Sequence, residues 1–241
     1  MKIIFVAGTD TGAGKTVVTG LLGRYLSKKG YRVITQKWVQ TGCSGFPKGV
    51  SNDIEVHLRL MEKKHRDFEG YLPLMVPYLF KFPSAPHLSA RLEKRRIDLA
   101  RIEKTLKVLA NNFDFVIVEG IGGLLVPLTN SFLLADFVKK LNLPVLLVAG
   151  NRLGAINHTL LSLEALKTRK IKTLGVIFNN ISPNEDKRIL QDNPKIVARI
   201  SGEKVLGVLP WVKHLSQLHN HFAPIGKKIL NMIFEFNIKQ T

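Results

Sequence analysis

The segment from Ile3 to Thr16, which reads IIFVAGTDTGAGKT, restricts the fold more than any other part of the sequence. Its apolar start predicts a buried strand that ends at Gly8. The glycines that follow predict a loop whose backbone N–H groups turn inward around phosphate oxygens. A helix that begins at Lys15 directs the positive end of its dipole at the same anion. In such a loop Lys15 reaches the β- and γ-phosphates, and the Thr16 hydroxyl is a ligand of Mg²⁺.

The spacing of this loop is a variant, because five residues rather than four separate Gly8 from the Gly14-Lys15 pair. One interpretation is a glycine-rich turn between a strand and a helix in another kind of α/β protein. The sequence Gly-Lys-Thr directly after an apolar strand favours the phosphate loop instead. We therefore expect the loop to bind the phosphates of a nucleotide.

The composition is that of a globular protein, with 45% hydrophobic and 22% charged residues among 241. We expect one α/β domain over residues 1–241, because no repeat or long linker divides the chain. Met1-Lys2 leads directly into the first apolar run, so we expect no signal peptide, and no apolar stretch approaches the ~20 residues of a membrane span. The single cysteine, Cys43, excludes an internal disulfide and suits a cytoplasmic location.

The net charge of +18 raises the hypothesis of a nucleic-acid partner, since phosphate backbones attract basic surfaces. The charge is spread along the chain, however. Its densest clusters, residues 63–66 and 94–96, lie at the ends of predicted helices with few aromatic residues among them. Solvated helix faces are the preferred interpretation, and we expect neither a nucleic-acid nor a membrane partner.

Strands and helices alternate to the end of the sequence. The predicted strands lie at residues 3–8, 31–36, 113–119, 143–149, 174–178 and 205–209. This alternation indicates an α/β fold with a doubly wound, mainly parallel sheet and helices on both faces, the three-layer arrangement of phosphate-loop proteins.

Three charged side chains follow strands or begin a helix. Lys37 comes after the second strand, Glu119 ends the third, and Asp53 begins a predicted helix. Carboxyl ends of parallel strands meet at one sheet edge, where such folds bind ligands, and Glu119 belongs there as a direct or indirect Mg²⁺ ligand. Lys37 could also be an ordinary cation at a strand end, and Asp53 could be a helix cap.

Three loops are predicted near these positions. Residues 43–52 contain several turn formers. Residues 70–88 are rich in proline and aromatic residues, so we expect irregular structure that lines a cleft, with Pro86 in the first turn of the next helix. The glycines of residues 120–123 predict a flexible loop in which the backbone approaches a ligand.

Several of these features occur together in one family, and the sequence resembles the dethiobiotin synthetases, which are phosphate-loop enzymes. Motifs in the same order over nearly the whole chain are far more specific than a phosphate loop alone. The matching segments are Gly8–Thr11, Gly14–Thr16, Lys37, Thr41-Gly42, Asn52-Asp53, Ser84–His87, Val118–Gly123, Leu153-Gly154, Ile156–His158 and Leu209–Trp211.

The resemblance implies an ATP- and Mg²⁺-dependent ligase of biotin biosynthesis that converts 7,8-diaminononanoate and CO₂ into dethiobiotin, with ADP and phosphate as the other products. One amine takes up CO₂ as a carbamate, which attacks the γ-phosphate to form a carbamic–phosphoric anhydride. The second amine then closes the ureido ring and expels phosphate. The resemblance also implies a homodimer whose substrate site lies at the subunit interface.

The resemblance further implies a role for each matching position. Thr11, Lys15 and Lys37 would be catalytic, and Thr16, Asp53 and Glu119 would be the Mg²⁺ ligands. The substrate would contact Lys37, Thr41 and the helix start formed by Gly154, Ala155, Ile156 and Asn157, which a partner subunit supplies. The nucleotide and its metal would be bound by Gly12, Ala13, Gly14, Lys15, Thr16, Val17, Asp53, Glu119, Gly120, Ile121, Gly122, Asn179, Asn180, Pro210, Trp211, Val212 and Gln217.

Four positions depart from the family pattern. Gly12 stands where an acidic residue is frequent, and Thr41 stands where serine is usual. Trp38 replaces the common proline, and Asn180 occupies a position where aspartate is familiar. None of these differences removes a core catalytic group.

Two other functions share parts of this pattern. A partition-type ATPase that binds DNA would have the same fold and a basic surface, but such proteins usually carry a second lysine early in the loop, where this chain has Thr9–Thr11. A cobalamin-pathway amidoligase would use related ATP chemistry, but it would normally add a glutamine-hydrolysing domain with a nucleophilic cysteine. The ligase reaction accounts for more of the residues than either alternative.

Overall fold

Six parallel strands form the central sheet, in agreement with the predicted fold class. The structure is a computed structural model that describes residues 2–43 and 51–238, so most of the loop predicted at residues 43–52 lies outside the described residues. The strands are β1 (Lys2–Gly8), β2 (Val33–Lys37), β3 (Val39–Gln40), β4 (Tyr78–Leu79), β5 (Phe115–Glu119), β6 (Pro127–Thr129), β7 (Phe132–Leu133), β8 (Val145–Asn151), β9 (Thr173–Asn180) and β10 (Val205–Leu209).

Helices connect the strands and surround the sheet. They are α1 (Lys15–Lys28), α2 (Asn52–Met61), α3 (Leu72–Met75), α4 (Pro86–Leu92), α5 (Leu99–Asn112), α6 (Leu134–Lys140), α7 (Ala155–Thr168), α8 (Lys187–Ser201) and α9 (Leu218–Ile238), with short 3₁₀ helices at His65–Phe68 and Leu215–Gln217. No helix within residues 2–43 and 51–238 combines the length and apolar character needed to cross a membrane.

The strand order places the end of β1 at a switch point. The order across the sheet is β10-β9-β8-β1-β5-β2, and every neighbouring pair is parallel. The chain therefore builds the sheet outward on both sides of β1, and open α/β sheets bind ligands where the order reverses in this way. Register aligns the strand ends, because Lys37 of β2 pairs with Glu119 of β5.

The core explains why the strands read as continuous apolar runs. Residues 4–7 of β1 and 145–149 of β8 are almost completely buried, as expected for parallel strands covered on both faces. Trp38 extends this core to the end of β2. Its ring lies 5.0 Å from those of Phe5 and Phe137, and its Nε1 donates to Gln36 Oε1 at 3.0 Å. Trp38 thereby fixes the backbone next to Lys37.

In the connecting segments the structure contradicts one expectation, for residues 70–88, and one alternative interpretation, for Asp53. The prediction of irregular structure over residues 70–88 was partly wrong, because α3 and β4 form there and β4 pairs with β3. A proline in the first turn of α3 is compatible with a helix, since its missing N–H is not needed there. Asp53 does not cap α2: the Ser51 hydroxyl accepts from the Ile54 N–H at 3.4 Å. Pro86 begins α4, as predicted.

Helix α2 packs closely on α1 because two glycines of α1 face it. A Cβ at Gly20 would lie 2.8 Å from Leu60 Cβ and 3.3 Å from the His57 Cα. A Cβ at Gly23 would instead meet the flexible end of Met61, with its Sδ at 2.7 Å. The absence of a side chain at Gly20 therefore lets α1 approach α2 closely at His57 and Leu60.

These two glycines give a matched test of the packing. Gly20→Ala should lower the free energy of unfolding by about 1 kcal/mol, since overpacking costs roughly 1–3 kcal/mol and the better helix propensity of alanine returns about 1 kcal/mol. Gly23→Ala should be neutral or stabilising because the Met61 side chain can move aside. Urea unfolding of both variants measures the difference. Equal effects at the two positions would contradict this account of the α1–α2 contact.

Candidate active site

The phosphate loop joins β1 to α1 in a conformation that requires glycine. Gly12 and Gly14 have φ angles of 77° and 101°, in the left-handed region that L-residues with side chains rarely adopt. A Cβ at Gly14 would also overlap the Asn179 side chain. Asn179, at the end of β9, donates from Nδ2 to the carbonyl of Ala13 at 3.2 Å. Asn179 of β9 therefore holds the phosphate loop in place by this hydrogen bond.

Lys15 is buried beneath this loop. Its Nζ donates to the carbonyl oxygens of Asp10 and Gly122, both at 2.8 Å, so it joins the phosphate loop to the loop after β5. Burial and, to a lesser degree, the charge of Lys37 lower the pKa of Lys15 to about 8, and nearby carboxylates partly oppose the change. In the part of the chain that the structure describes, the recorded hydrogen bonds of the Lys15 ammonium go to carbonyl oxygens, so it can still pair with an anion.

A second network lies at the ends of β2 and β5. The Lys37 Nζ contacts Glu119 Oε1 and Asp53 Oδ2, each at 2.8 Å, and also donates to the carbonyl of Gly120 at 2.8 Å. The Thr16 hydroxyl donates to the same Glu119 oxygen at 3.0 Å. A threonine hydroxyl and two carboxylates are hard oxygen donors of the kind that Mg²⁺ prefers. This network could therefore hold that ion.

The protonation states of Lys37 and Glu119 are set by their burial and by the charges and hydrogen bonds of their neighbours. Burial alone would raise the pKa of the Glu119 carboxyl, but the charge of Lys37 and the hydrogen bond from His57 outweigh it and lower the pKa to about 2. Burial likewise opposes the charge on Lys37, but Glu119 and Asp53 more than compensate and raise its pKa. Lys37 is thus held as a cation beside an ionised carboxylate.

Both networks face one cavity of about 670 Å³. Most of its polar lining comes from the predicted site residues Thr11, Lys15, Thr16, Lys37, Thr41, Asp53 and Glu119, and Gln40 and Ser84 add to it. Gly12, Gly14, Val17, Ile121 and Gly122 supply backbone and apolar surface. Residues 83–86 line the same cavity, as expected for the proline-rich segment. The structure therefore gathers the predicted phosphate, metal and catalytic residues in one place.

The residues predicted to hold the nucleotide base lie elsewhere on the same sheet edge. Asn180 ends β9 and accepts from Asn151 Nδ2 at 2.9 Å. Residues 210–212 follow β10, where Trp211 is 43% exposed, and Gln217 Oε1 accepts from the His214 N–H at 3.3 Å. None of these residues lines the 670 Å³ cavity. Asn179 alone links this region to the phosphate loop by a hydrogen bond that the structure records.

The predicted carboxylate-binding helix start follows β8, so in the strand order it lies on the opposite side of β1 from Lys37 and Glu119. Gly154 has a φ of 86° and precedes α7, which begins at Ala155 and continues through Ile156 and Asn157. Ala155 lines a second, smaller cavity of about 170 Å³ together with residues 9–13 of the loop. Within one chain, this helix start is therefore separate from the cavity that holds Lys37.

Sequence reasoning missed His57, which completes the network. This residue is fully buried, and its Nε2 lies 2.7 Å from Glu119 Oε2. A signal was present, because His57 follows Asp53 by four residues on a predicted helix and so lies on the same face. A lone histidine in a helix is usually a core residue, and no sequence feature pointed to Glu119 as its partner.

Comparison with known proteins identifies close relatives. A family model described as an AAA domain (AAA_26) matches residues 2–219. The ATP-dependent dethiobiotin synthetase BioD of Chlorobaculum tepidum is 44% identical over 199 residues, which cover 82% of this chain and 80% of the relative. The protein of the same name from Anaeromyxobacter sp. (strain K) is 40% identical over 230 residues, covering 95% and 99%. BioD 2 of Haemophilus influenzae is 42% identical over 180 residues, covering 74% and 91%.

Solved structures share the fold at much lower sequence identity. A ParA family ATPase from Chlorobium tepidum TLS superposes with a TM-score of 0.55 at 15% identity, covering 97% of this chain and 98% of its own. The cell division protein MinD of Aquifex aeolicus gives a TM-score of 0.54 at 18% identity, covering 98% and 97%. These similarities establish the phosphate-loop fold and carry no information on the reaction.

The lowered pKa of Lys15, about 8, predicts a pH dependence of nucleotide binding. In metal-free buffer the affinity for ADP should fall by up to about tenfold per pH unit above this pKa, because the amine must take up a proton to pair with phosphate. Calorimetry in buffers of different ionisation enthalpy should detect proton uptake on binding near pH 8 to 9. The Lys15→Arg variant, which stays charged, should show neither effect. A pH-independent affinity with no proton uptake in the unaltered protein would contradict this prediction.

Proposed function

We propose that this chain, which belongs to the dethiobiotin synthetase family, catalyses the ATP-dependent carboxylation and ring closure of 7,8-diaminononanoate in biotin biosynthesis. The products are dethiobiotin, ADP and phosphate, so the protein is a cyclo-ligase. One observation supports this proposal most directly: Lys15, Lys37, Thr16, Asp53 and Glu119 converge on a single cavity beside the phosphate loop. A reaction between a carbamate and the γ-phosphate needs this combination of cations and oxygen ligands around two anions.

The first role of the protein is to bind the phosphates. The N–H groups of the loop and of the start of α1 point toward an anion, as at other helix N-termini. Lys15 now contacts two loop carbonyls, and we infer that the β- and γ-phosphates replace these partners when ATP binds. Thr11 lines the same cavity and would contact the transferred phosphoryl group.

Lys37 is the residue best placed for the chemical step. One amine of the substrate takes up CO₂ and loses a proton to give a carbamate, whose oxygen attacks the γ-phosphate and releases ADP. The second amine attacks the carbonyl carbon of the resulting anhydride and expels phosphate. The Lys37 ammonium would offset negative charge on the carbamate and the γ-phosphate, and the Thr41 hydroxyl would orient the substrate. The enzyme thus contributes positioning and charge stabilisation.

Mg²⁺ fits the oxygen donors of this site. We infer that Thr16, Asp53 and Glu119 hold it, because they lie in one hydrogen-bonded network at the phosphate loop. The described residues contain no cluster of three or more histidine, cysteine or acidic side chains suited to a metal, and Mg²⁺ typically uses one or two carboxylates with substrate phosphates. When bound, the ion would neutralise charge on the phosphates.

The nucleotide base would lie beyond the phosphate loop. We infer that Asn179, Asn180, Gln217 and residues 210–212 contact it, because they lie at or after the carboxyl ends of β9 and β10. The remaining loop positions, Gly120 and residues 12–17, would surround the phosphates. The exposed Trp211 offers a ring for stacking.

A homodimer would complete the substrate site. Leu125, Leu153 and Leu161 are 53%, 75% and 57% exposed, and they lie around the first turns of α7. A contiguous apolar patch marks an interaction surface, and Leu125 and Leu161 line one surface cavity together with Leu124 and Val126. We infer that this face meets a second copy, so that the helix start at residues 154–157 of one subunit binds the substrate carboxylate of the other.

A single domain over residues 1–241 and a cytoplasmic location both stay predictions.

The reaction can be tested by fixation of labelled bicarbonate into an acid-stable product with ATP, Mg²⁺ and 7,8-diaminononanoate. Label should be retained only when all components are present. Lys37→Ala should lower kcat by about 10²–10³, as expected for the loss of one charge-stabilising donor. Lys107→Ala removes a lysine that is also paired with a glutamate but lies on the surface of α5, so it should leave turnover unchanged. Thermal unfolding confirms that each variant is folded.

Two outcomes would overturn this assignment. Near-normal turnover in the folded Lys37→Ala variant would remove the catalytic role of Lys37. Hydrolysis of ATP without diamine and without label retention would favour a partition-type ATPase, and DNA-stimulated hydrolysis would then be the next measurement. Turnover that depends on ammonia or glutamine would favour an amidoligase.

The proposed interface predicts the behaviour of two matched leucine variants. Leu161→Asp places a charge in the α7 face, so it should shift the protein toward monomers and weaken binding of the diamine substrate. Leu92→Asp alters a similarly exposed leucine, 54% against 57%, on α4 and should change neither property. Analytical ultracentrifugation and the KM for the diamine measure the two effects. A Leu161→Asp protein with unchanged mass and KM would refute this interface.

A further inference from the structure

His57 occupies a special position in the network around Glu119. It lies on α2 one turn after Asp53, and its side chain is 0% exposed. Its Nε2 is 2.7 Å from Glu119 Oε2, and its Nδ1 is 3.1 Å from the Thr35 hydroxyl. Both ring nitrogens therefore have partners, and one of those partners faces the active-site cavity.

The two oxygens of Glu119 have different surroundings. Oε1 accepts from Thr16 and Lys37, which line the cavity. Among the hydrogen bonds that the structure records, Oε2 has His57 as its partner. Rotation of the carboxylate about its own axis would exchange these two environments. His57 thus holds Oε2 toward the interior and leaves Oε1 facing the phosphate loop.

The hydrogen positions follow from the chemistry of the partners. An ionised carboxylate can only accept, so His57 Nε2 must carry the hydrogen that it donates to Glu119. In the neutral ring Nδ1 is then an acceptor, and the Thr35 hydroxyl donates to it. Thr35 lies on β2 two residues before Lys37, and side chains two apart on a strand share a face. Strand β2 therefore orients both oxygens of Glu119, one directly through Lys37 and one through Thr35 and His57.

We propose that His57 is a positioning residue that sets the orientation of the Glu119 carboxylate, so that Oε1 is presented to a divalent metal bound with the nucleotide. This inference rests on the metal role of Glu119 in the proposed function. His57 itself does not line the cavity and acts through Glu119. Partners of this kind that orient a metal ligand typically contribute 10–100-fold to metal affinity or activity.

The test compares two replacements of different chemistry. His57→Leu places an apolar side chain in the buried site and removes the donor to Oε2, so the dissociation constant for Mn²⁺ in the presence of saturating ADP should rise about 10–100-fold. His57→Gln retains an amide N–H that can reach Oε2 and should restore most of the affinity. Electron paramagnetic resonance of free Mn²⁺ measures binding without turnover. The kcat and KM for ATP, measured in parallel, should worsen more in the leucine variant than in the glutamine variant.

Thr105→Val is the matched control for lost buried hydrogen bonding. The Thr105 hydroxyl is buried on α5 and accepts from Gln36 Nε2 at 3.1 Å, without contact to Glu119. This variant should lower the melting temperature and leave the Mn²⁺ dissociation constant unchanged. If His57→Leu does not fold, the comparison of His57→Gln with Thr35→Val keeps the test intact. The glutamine still offers a donor to Glu119 Oε2. Thr35→Val removes the hydroxyl that donates to His57 Nδ1 and should weaken Mn²⁺ binding.

Two results would overturn the inference. The first is a folded His57→Leu variant that binds Mn²⁺ as tightly as the unaltered protein. If that variant does not fold, the equivalent result is Mn²⁺ binding of unaltered affinity in Thr35→Val. The second is an unaltered protein that binds no Mn²⁺ with ADP, which would also remove the metal role of Glu119. Normal metal binding without bicarbonate fixation would contradict the proposed reaction alone and leave the role of His57 supported.

Discussion

The buried contact between Lys37 and Glu119 is the interaction on which the rest of the site depends. Each charge alone would be costly to bury, and each is retained because the other lies 2.8 Å away. The pair exists only because β2 and β5 are neighbours in a register that places both residues at the same level. Sheet topology and site chemistry are therefore a single constraint, since a shift of one strand by one residue would turn one partner to the opposite face.

Helix α2 supplies the remaining partners, and its position depends on packing. Asp53 and His57 approach the ion pair from two successive turns of this helix. Their reach is set by how closely α2 lies against α1, which Gly20 permits. The same helix α1 begins at the phosphate loop with Lys15 and Thr16. The close contact between α1 and α2 thus couples Lys15 and Thr16 to Asp53 and, through His57, to Glu119.

The distribution of charge explains why this fold suits a reaction between two anions. Burial is the largest cause of the lowered pKa of Lys15, and the nearby charge of Lys37 adds to it. Glu119 and Asp53 balance these cations in the absence of a nucleotide. Proteins with the same fold and low sequence identity perform other tasks, so the fold alone does not select the reaction. The selection lies in which side chains stand at the strand ends.

The sequence by itself determined the six strands, the phosphate loop and most of the cavity lining. Apolar runs, glycine positions and the order of the motifs are local features of the sequence, and the packing of the folded chain agrees with them. It also indicated Lys37 and Glu119 as strand-end residues. The tertiary structure alone decided the contacts of Asp53, which pairs with Lys37 while Ser51 caps the helix, and the short elements within residues 70–88. It alone joined His57 to Glu119, a contact between residues 62 positions apart. Such pairings depend on how helices and strands pack, and no local pattern of residues contains that information.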